Sequence, residues 1–303
     1  MTTKEPTVLV QGEPIAQRQM RALIGWVPHD EAIRLLLGRS PAPGEDLTHV
    51  EGLFESKKAA VGERPQFTPG PSTLDSDQPH IDLDGLAQNP LLQTAFAPLS
   101  WSLKIVDLRR VLAFQKTITV DGLDERIQPV VDDPGKLAEF CLPREQPVPP
   151  QGLVTDVDQK GYTVSSLNPN LRIAATQVQP AQVAPAEGMQ PISMLAITFL
   201  VSMGTNFLQV ARYNDRDFLR DGYHRAAALL RARINDVPCV YIEAKTYEEV
   251  GANPATMLSY EVLFGDRPPL LGDFWDDSVA ADIEQPTIRK AVRLRGEEFS
   301  IQG

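Results

Sequence analysis

Asp221, Gly222, Tyr223, His224 and Arg225 sit where an apolar strand pattern gives way to an Ala-rich helix pattern, inside RDFLRDGYHRAAALLRARINDVPCVYIE (Arg216–Glu243). A helix start presents unpaired N–H groups and the positive end of its dipole, so it is a ready anion seat. His224 and Arg225 at that start oppose the dipole by roughly 0.3–1 kcal/mol. A phosphate or carboxylate reverses that sign, because helix end, imidazole and guanidinium all attract it. Arg225 adds a planar fork matched to phosphate oxygens. Gly222 has no Cβ, so the chain can turn sharply and a ligand can approach the backbone. Asp221 is a candidate helix cap, a neutraliser of His224, or a catalytic base or metal residue, and His224 is the second candidate catalytic residue. The same residues also fit ordinary turn chemistry, with Arg225 in solvent or paired with Asp221.

The elements that must hold this turn read as a hairpin, a helix and a strand. FLQVARY and DFLR flank Asn214 and Asp215, a hairpin signal. YHRAAALLRAR is made of strong helix formers, and Asn235 is a candidate left-handed stop. VPCVYIE reads as a strand, with Cys239 as a small buried hydrophobe. The order predicts a mixed α+β (α/β) domain. Upstream, TVLVQ reads as a strand, PIAQRQMRALIG as a helix, and HDEAIRLLLGR as a helix capped by Asp30 and ended by Gly38. These give a helical N-terminal region over 1–55. A Pro-rich linker spans 56–97, the main domain 98–250, and a C-terminal extension 251–303. Ile192–Met203 is apolar throughout and is expected to be buried, as helix or strand.

This block resembles the signature segment of the ParB/sulfiredoxin-like superfamily, including its ParB-like nuclease domains. There a strand enters a Gly-x-His-Arg turn, then an Ala-rich helix, then a VP strand. IVDLRRVLAFQ is similar to the family's upstream strand and glutamine-containing segment. The resemblance implies a ParB/sulfiredoxin-like domain in which Gly222, Tyr223, His224, Arg225 and Gln115 hold a nucleotide phosphate. It implies ATP or CTP with Mg²⁺ as cofactor, and NTP hydrolysis or phosphoryl transfer as the reaction. Tyr223 stands where sulfiredoxins carry a cysteine, so sulfinic-acid repair is not expected.

Two other readings compete. One is a non-catalytic interaction scaffold that meets a protein partner through its N-terminal region. The other is nucleic-acid binding or cleavage, aided by a basic helix in TIRKAVRLRG. With 40 Asp and Glu against 29 Lys and Arg, the net charge is -11, which opposes phosphate backbones on average. The two cysteines match no metal spacing, and no apolar run reaches the ~20 residues of a membrane span. A cytoplasmic protein without a membrane partner is expected. The acids from Asp266 to Glu284 read as a solvated loop. HIDLD (His80, Asp82, Asp84) reads as a surface segment, and His29 as part of a helix start.

Overall fold

The structure is a computed structural model that describes residues 17–74, 81–144, 154–158, 161–166, 171–183, 192–202, 207–251, 257–287, 290–296 and 300. The TVLVQ segment, His80 and the LPREQPVPPQG joint beyond Arg144 lie outside them. The chain forms a mixed α+β fold in two compact units. One comprises Met1–Arg144 with Asn206–Thr287, and the other Glu145–Thr205 with Ile288–Gly303.

The first unit opens with strand β1 (Gln17–Ala22), then helices α1 (His29–Leu37), α2 (Thr48–Glu63), α3 (Leu83–Ala87) and α4 (Pro90–Phe96). Strands β2 (Trp101–Asp107) and β3 (Thr117–Thr119) follow, then helices α5 (Leu123–Asp132) and α6 (Leu137–Cys141). The second unit holds β4 (Val154–Asp158), β5 (Gly161–Ser166), β6 (Arg172–Val183) and β7 (Ile192–Ser202). The chain then re-enters the first unit with β8 (Gln209–Tyr213), β9 (Arg216–Asp221), α7 (Tyr223–Arg231), β10 (Asp236–Glu243), α8 (Tyr260–Leu263) and β11 (Ala281–Pro286). Strand β12 (Lys290–Arg295) completes the second unit.

The central sheet of the first unit runs β2-β10-β8-β9, with β10 antiparallel to β2 and parallel to β8. β10 lies between two strands, and Val237–Ile242 are buried, as its apolar VPCVYI run requires. Asn214 and Asp215 take φ of 48° and 59° between β8 and β9, the two positive values a tight hairpin turn demands. Helix α7 buries Ala226, Ala227, Ala228 and Leu229 in the core. A second sheet, β11-β1-β3, joins the unit's first described strand to its last.

Several expectations are corrected. Within PIAQRQMRALIG, Gln17–Ala22 is not helical but a strand, pinned by antiparallel pairing to β11 and β3. Helix α1 has Pro28, not Asp30, at its N-cap, but does end at left-handed Gly38. Helix α7 stops before Asn235, and Arg233 takes the left-handed position at φ 61°. One expectation holds: Asp82 and Asp84 are exposed, as a surface segment requires, and Asp82 caps α3 by accepting from the Gly85 N–H at 2.8 Å. Within TIRKAVRLRG, Lys290–Arg295 form strand β12 against β5, not a helix.

Residues 56–74 are not a free linker. Helix α2 takes up 56–63, and the following stretch lies along β2, with a bridge between Thr73 and Val106. Buried Asp217 on β9 anchors it. One carboxylate oxygen accepts the Ser72 N–H (2.5 Å) and hydroxyl (2.6 Å). The other accepts the Tyr241 hydroxyl (2.9 Å) and Arg212 (3.0 Å).

The acidic stretch is only partly solvated. Asp273 is buried and paired with Arg64, and burial raises its pKa against that pairing. Asp277 and Asp282 both reach the buried Arg21, at 2.6 and 3.1 Å.

Candidate anion site at the start of the Ala-rich helix

The turn into α7 is built from three directions. β9 delivers Asp221, whose Oδ1 accepts the Gly222 N–H at 2.7 Å and whose Oδ2 accepts Gln209 Nε2 at 3.3 Å. Both carboxylate oxygens are thus engaged in shaping the turn. Gly222 sits at φ 92° with no side-chain cap on the helix. A Cβ there would lie 3.0 Å from Leu208 Cδ1 and 3.2 Å from Leu208 Cα. The room that Gly222 leaves is therefore filled by the chain's own Leu208, not kept open for a ligand as the sequence suggested.

Segment 111–115 runs beside β9 and ends at the helix mouth. Leu112 N–H donates to Asp217 O (2.8 Å), and Leu219 N–H donates to Leu112 O (3.0 Å). The N–H groups of Phe114 and Gln115 then donate to the Tyr223 hydroxyl, at 2.9 and 3.3 Å. Gln115 is thereby brought to the turn through its main chain. Tyr223 is buried, its ring edge-on to Phe114, so it braces the core under the helix and does not face a ligand.

His224 and Arg225 are only partly buried. Burial, and then the nearby guanidinium groups of Arg126 and Arg18, hold the His224 pKa down at about 4. The histidine at this helix mouth is therefore neutral at neutral pH, not the cation the sequence suggested. Burial also lowers the Arg225 pKa, and Arg126 adds to that while Asp221 opposes it. The Arg225 guanidinium lies 5.8 Å from the Phe140 ring centroid.

Arg18 comes from β1 and Arg126 from α5, both far from the turn in sequence. Neither was legible as a site residue. Arg18 falls in a stretch that reads as helix, and Arg126 in an ordinary amphipathic segment. Arg18, Arg126, His224 and Arg225 form no ion pair with any described carboxylate. Three guanidinium groups and a neutral imidazole thus gather at the dipole-positive end of a nine-residue helix. Arg126 is exposed, while Arg18, His224 and Arg225 are half-buried; fields of like sign there raise the local affinity for an anion, most at the half-buried groups.

No protein-family model, curated protein or solved structure matches the chain.

Both Asp221 oxygens accept from N–H donors, and among the described residues no group of three or more His, Cys, Asp or Glu is placed to hold a metal. A separate cleft lined by Gln19, Gly38, Asp282 and Glu284 carries acids and includes none of the residues of the α7 turn.

The depressed His224 pKa makes stability depend on pH. In the unfolded chain a histidine titrates near 6.5, and in the folded chain at about 4. Between those values the unfolded state binds the extra proton. The contribution is complete above about pH 6.5 and is lost as pH falls toward 4, by up to about 3 kcal/mol. Urea titrations across that window should show the loss, and His224→Gln should flatten it. Equal pH slopes in the two proteins would assign the dependence to other groups.

Proposed function

We propose that the chain is a ParB/sulfiredoxin-like protein that binds a nucleotide or another phosphorylated small molecule at the start of α7. The observation that carries this reading is the gathering of Arg18, Arg126, His224 and Arg225 with no described carboxylate paired to them. Arg225 offers a bidentate fork, Arg18 and Arg126 neutralise phosphate charge, and His224 can donate one hydrogen bond as a neutral ring. Placing a polyanion there removes the mutual repulsion of the guanidinium groups. It also raises the His224 pKa, because a neighbouring anion favours the protonated ring. The reading is one of binding: Asp221 shapes the turn, and no base or metal ligand is assigned. ATP and CTP are the first ligands to test, with and without Mg²⁺.

Thermal unfolding with ATP, CTP, GTP and inorganic pyrophosphate is the test. A ligand at 100 times its Kd adds about 2.7 kcal/mol to the stability of the folded state. Arg126→Ala and Arg18→Ala should each weaken binding by about 10-fold or more, since a charged hydrogen bond contributes about 1.5–3 kcal/mol. Their midpoints without ligand should stay close to the parent value. Pyrophosphate acting as well as the nucleotides would mean that the site reads phosphate alone. No shift with any of the four compounds would reject the reading.

The nucleic-acid alternative keeps its basic segment, as strand β12 with Lys290, Arg293 and Arg295 exposed, against a net charge of -11.

A further inference from the structure

The second unit carries an antiparallel ribbon that pairs with no other described strand: β6 and β7 form a two-stranded sheet of their own. Isolated two-stranded ribbons are marginal in water and need a covered face. The register assigns those faces. Val178 stands opposite Ile197, Thr176 opposite Phe199, Pro180 opposite Leu195, and Ile173 opposite Val201. Residues directly opposite share a face, so one side of the ribbon is a nearly continuous apolar surface. Ile173, Val178, Leu195, Ile197 and Phe199 on it are 39–64% exposed. The sequence marked Ile192–Met203 as buried; the structure instead leaves most of that strand facing outward.

We propose that this face is a self-association surface, and that its occupant is the same ribbon of a second copy of this chain. Charge selects that occupant. The chain carries -11, yet neither β6 beyond Arg172 nor β7 holds a charged residue. Two copies can therefore meet on neutral ground, with their acidic surfaces elsewhere. A lipid surface fits less well. Interfacial and membrane-inserted strands carry Lys, Arg, Trp or Tyr where they meet headgroups, and β6 beyond Arg172 and β7 have none. An unlike protein partner would need polar marks for specificity along this face, where the register places only Thr176 within the apolar stretch and the Gln182–Ser193 pair at its end.

The face is smaller than the roughly 800 Å² per partner of a standard interface, so the pair is weak and concentration-dependent. Eleven residues of β7 at about 3.4 Å each give a face about 37 Å long, and two strands make it roughly 10 Å wide. Two such faces packed about 10 Å apart make a small sandwich with a dry centre. A two-fold axis satisfies both copies with the same contacts.

The test is the solution mass of the full chain by light scattering across a concentration series. The parent should reach about twice the monomer mass. The double variant Leu195→Asp/Ile197→Asp should stay at the monomer mass at every concentration. Thr198→Lys, on the opposite face, should associate like the parent. If the charged variant fails to fold, Ile197→Cys gives a second reading: oxidation should link two copies covalently, because native Cys141 and Cys239 are buried. A parent that remains monomeric throughout, with no linked product from Ile197→Cys, overturns the proposal. Flotation of a monomeric parent with neutral phosphatidylcholine vesicles, lost in the Asp variant, would overturn it in favour of lipid.

Discussion

Asp217→Ala should destabilise the fold by about 3–5 kcal/mol, the range for removing one partner of a buried, hydrogen-bonded ion pair. The side chain is fully buried and accepts four hydrogen bonds, from Ser72 N–H and Oγ, Tyr241 and Arg212. Alanine leaves those donors facing a void, with the Arg212 charge uncompensated except by the exposed Asp215 at 2.9 Å. Asp217→Asn should cost less, since it keeps the volume and one accepting oxygen. Urea unfolding of the three proteins gives the order directly. Hydrogen exchange at the Ser72 amide should accelerate in the alanine variant, because that amide donates to the missing carboxylate. A cost below about 1 kcal/mol would mean that Asp217 behaves like a surface pair and does not hold residues 72–74 on the sheet.

Gly222→Ala is expected to cost about 2–4 kcal/mol. At φ 92° an L-residue is strained by about 1–3 kcal/mol, and the new Cβ would press on Leu208 at 3.0 and 3.2 Å. The nearer contact is a side-chain tip, which can yield. The other is main chain, entering β8, and cannot yield without shifting the central sheet. The variant therefore moves the helix mouth and the strand together. Under the proposed function, it should weaken nucleotide binding even though Gly222 touches Leu208 and not the ligand. Unchanged binding in a folded Gly222→Ala protein would mean that the anion does not depend on the position of this helix end.

The block around the turn was legible because its signals are local. Asn214-Asp215 can fill two left-handed positions, the Ala run packs closely, and VPCVYI suits a strand buried on both sides. The rest of the site was not legible, since it is assembled from distant parts. Nothing near Arg18 announces a strand. QRQMRA shows no alternation, and only pairing with residues some 260 positions later fixes it as β1. Arg126 joins Arg18 only through the packing of α5 against α7. The C-terminal basic segment did carry a usable signal, since Val292 and Leu294 alternate with Arg293 and Arg295, which is the period of a strand. Tyr223 shows the opposite limit. Its position in a binding-type turn suggested ligand contact, while its hydroxyl serves the Phe114 and Gln115 amides.

The order of strands in the central sheet has a consequence for how the chain matures on the ribosome. β2 must wait for its neighbour β10, which is encoded about 130 residues later, beyond the whole excursion into the second unit. At about 5–20 residues per second that is a delay of roughly 6–25 s. During it the β6–β7 hairpin, whose strands carry no charge beyond Arg172 and whose contacts are local, is already outside the exit tunnel and free to form, while β2 still has an open edge. The nascent chain thus displays its stickiest segment before its core can close, and neighbouring nascent chains on one message would meet through that segment first.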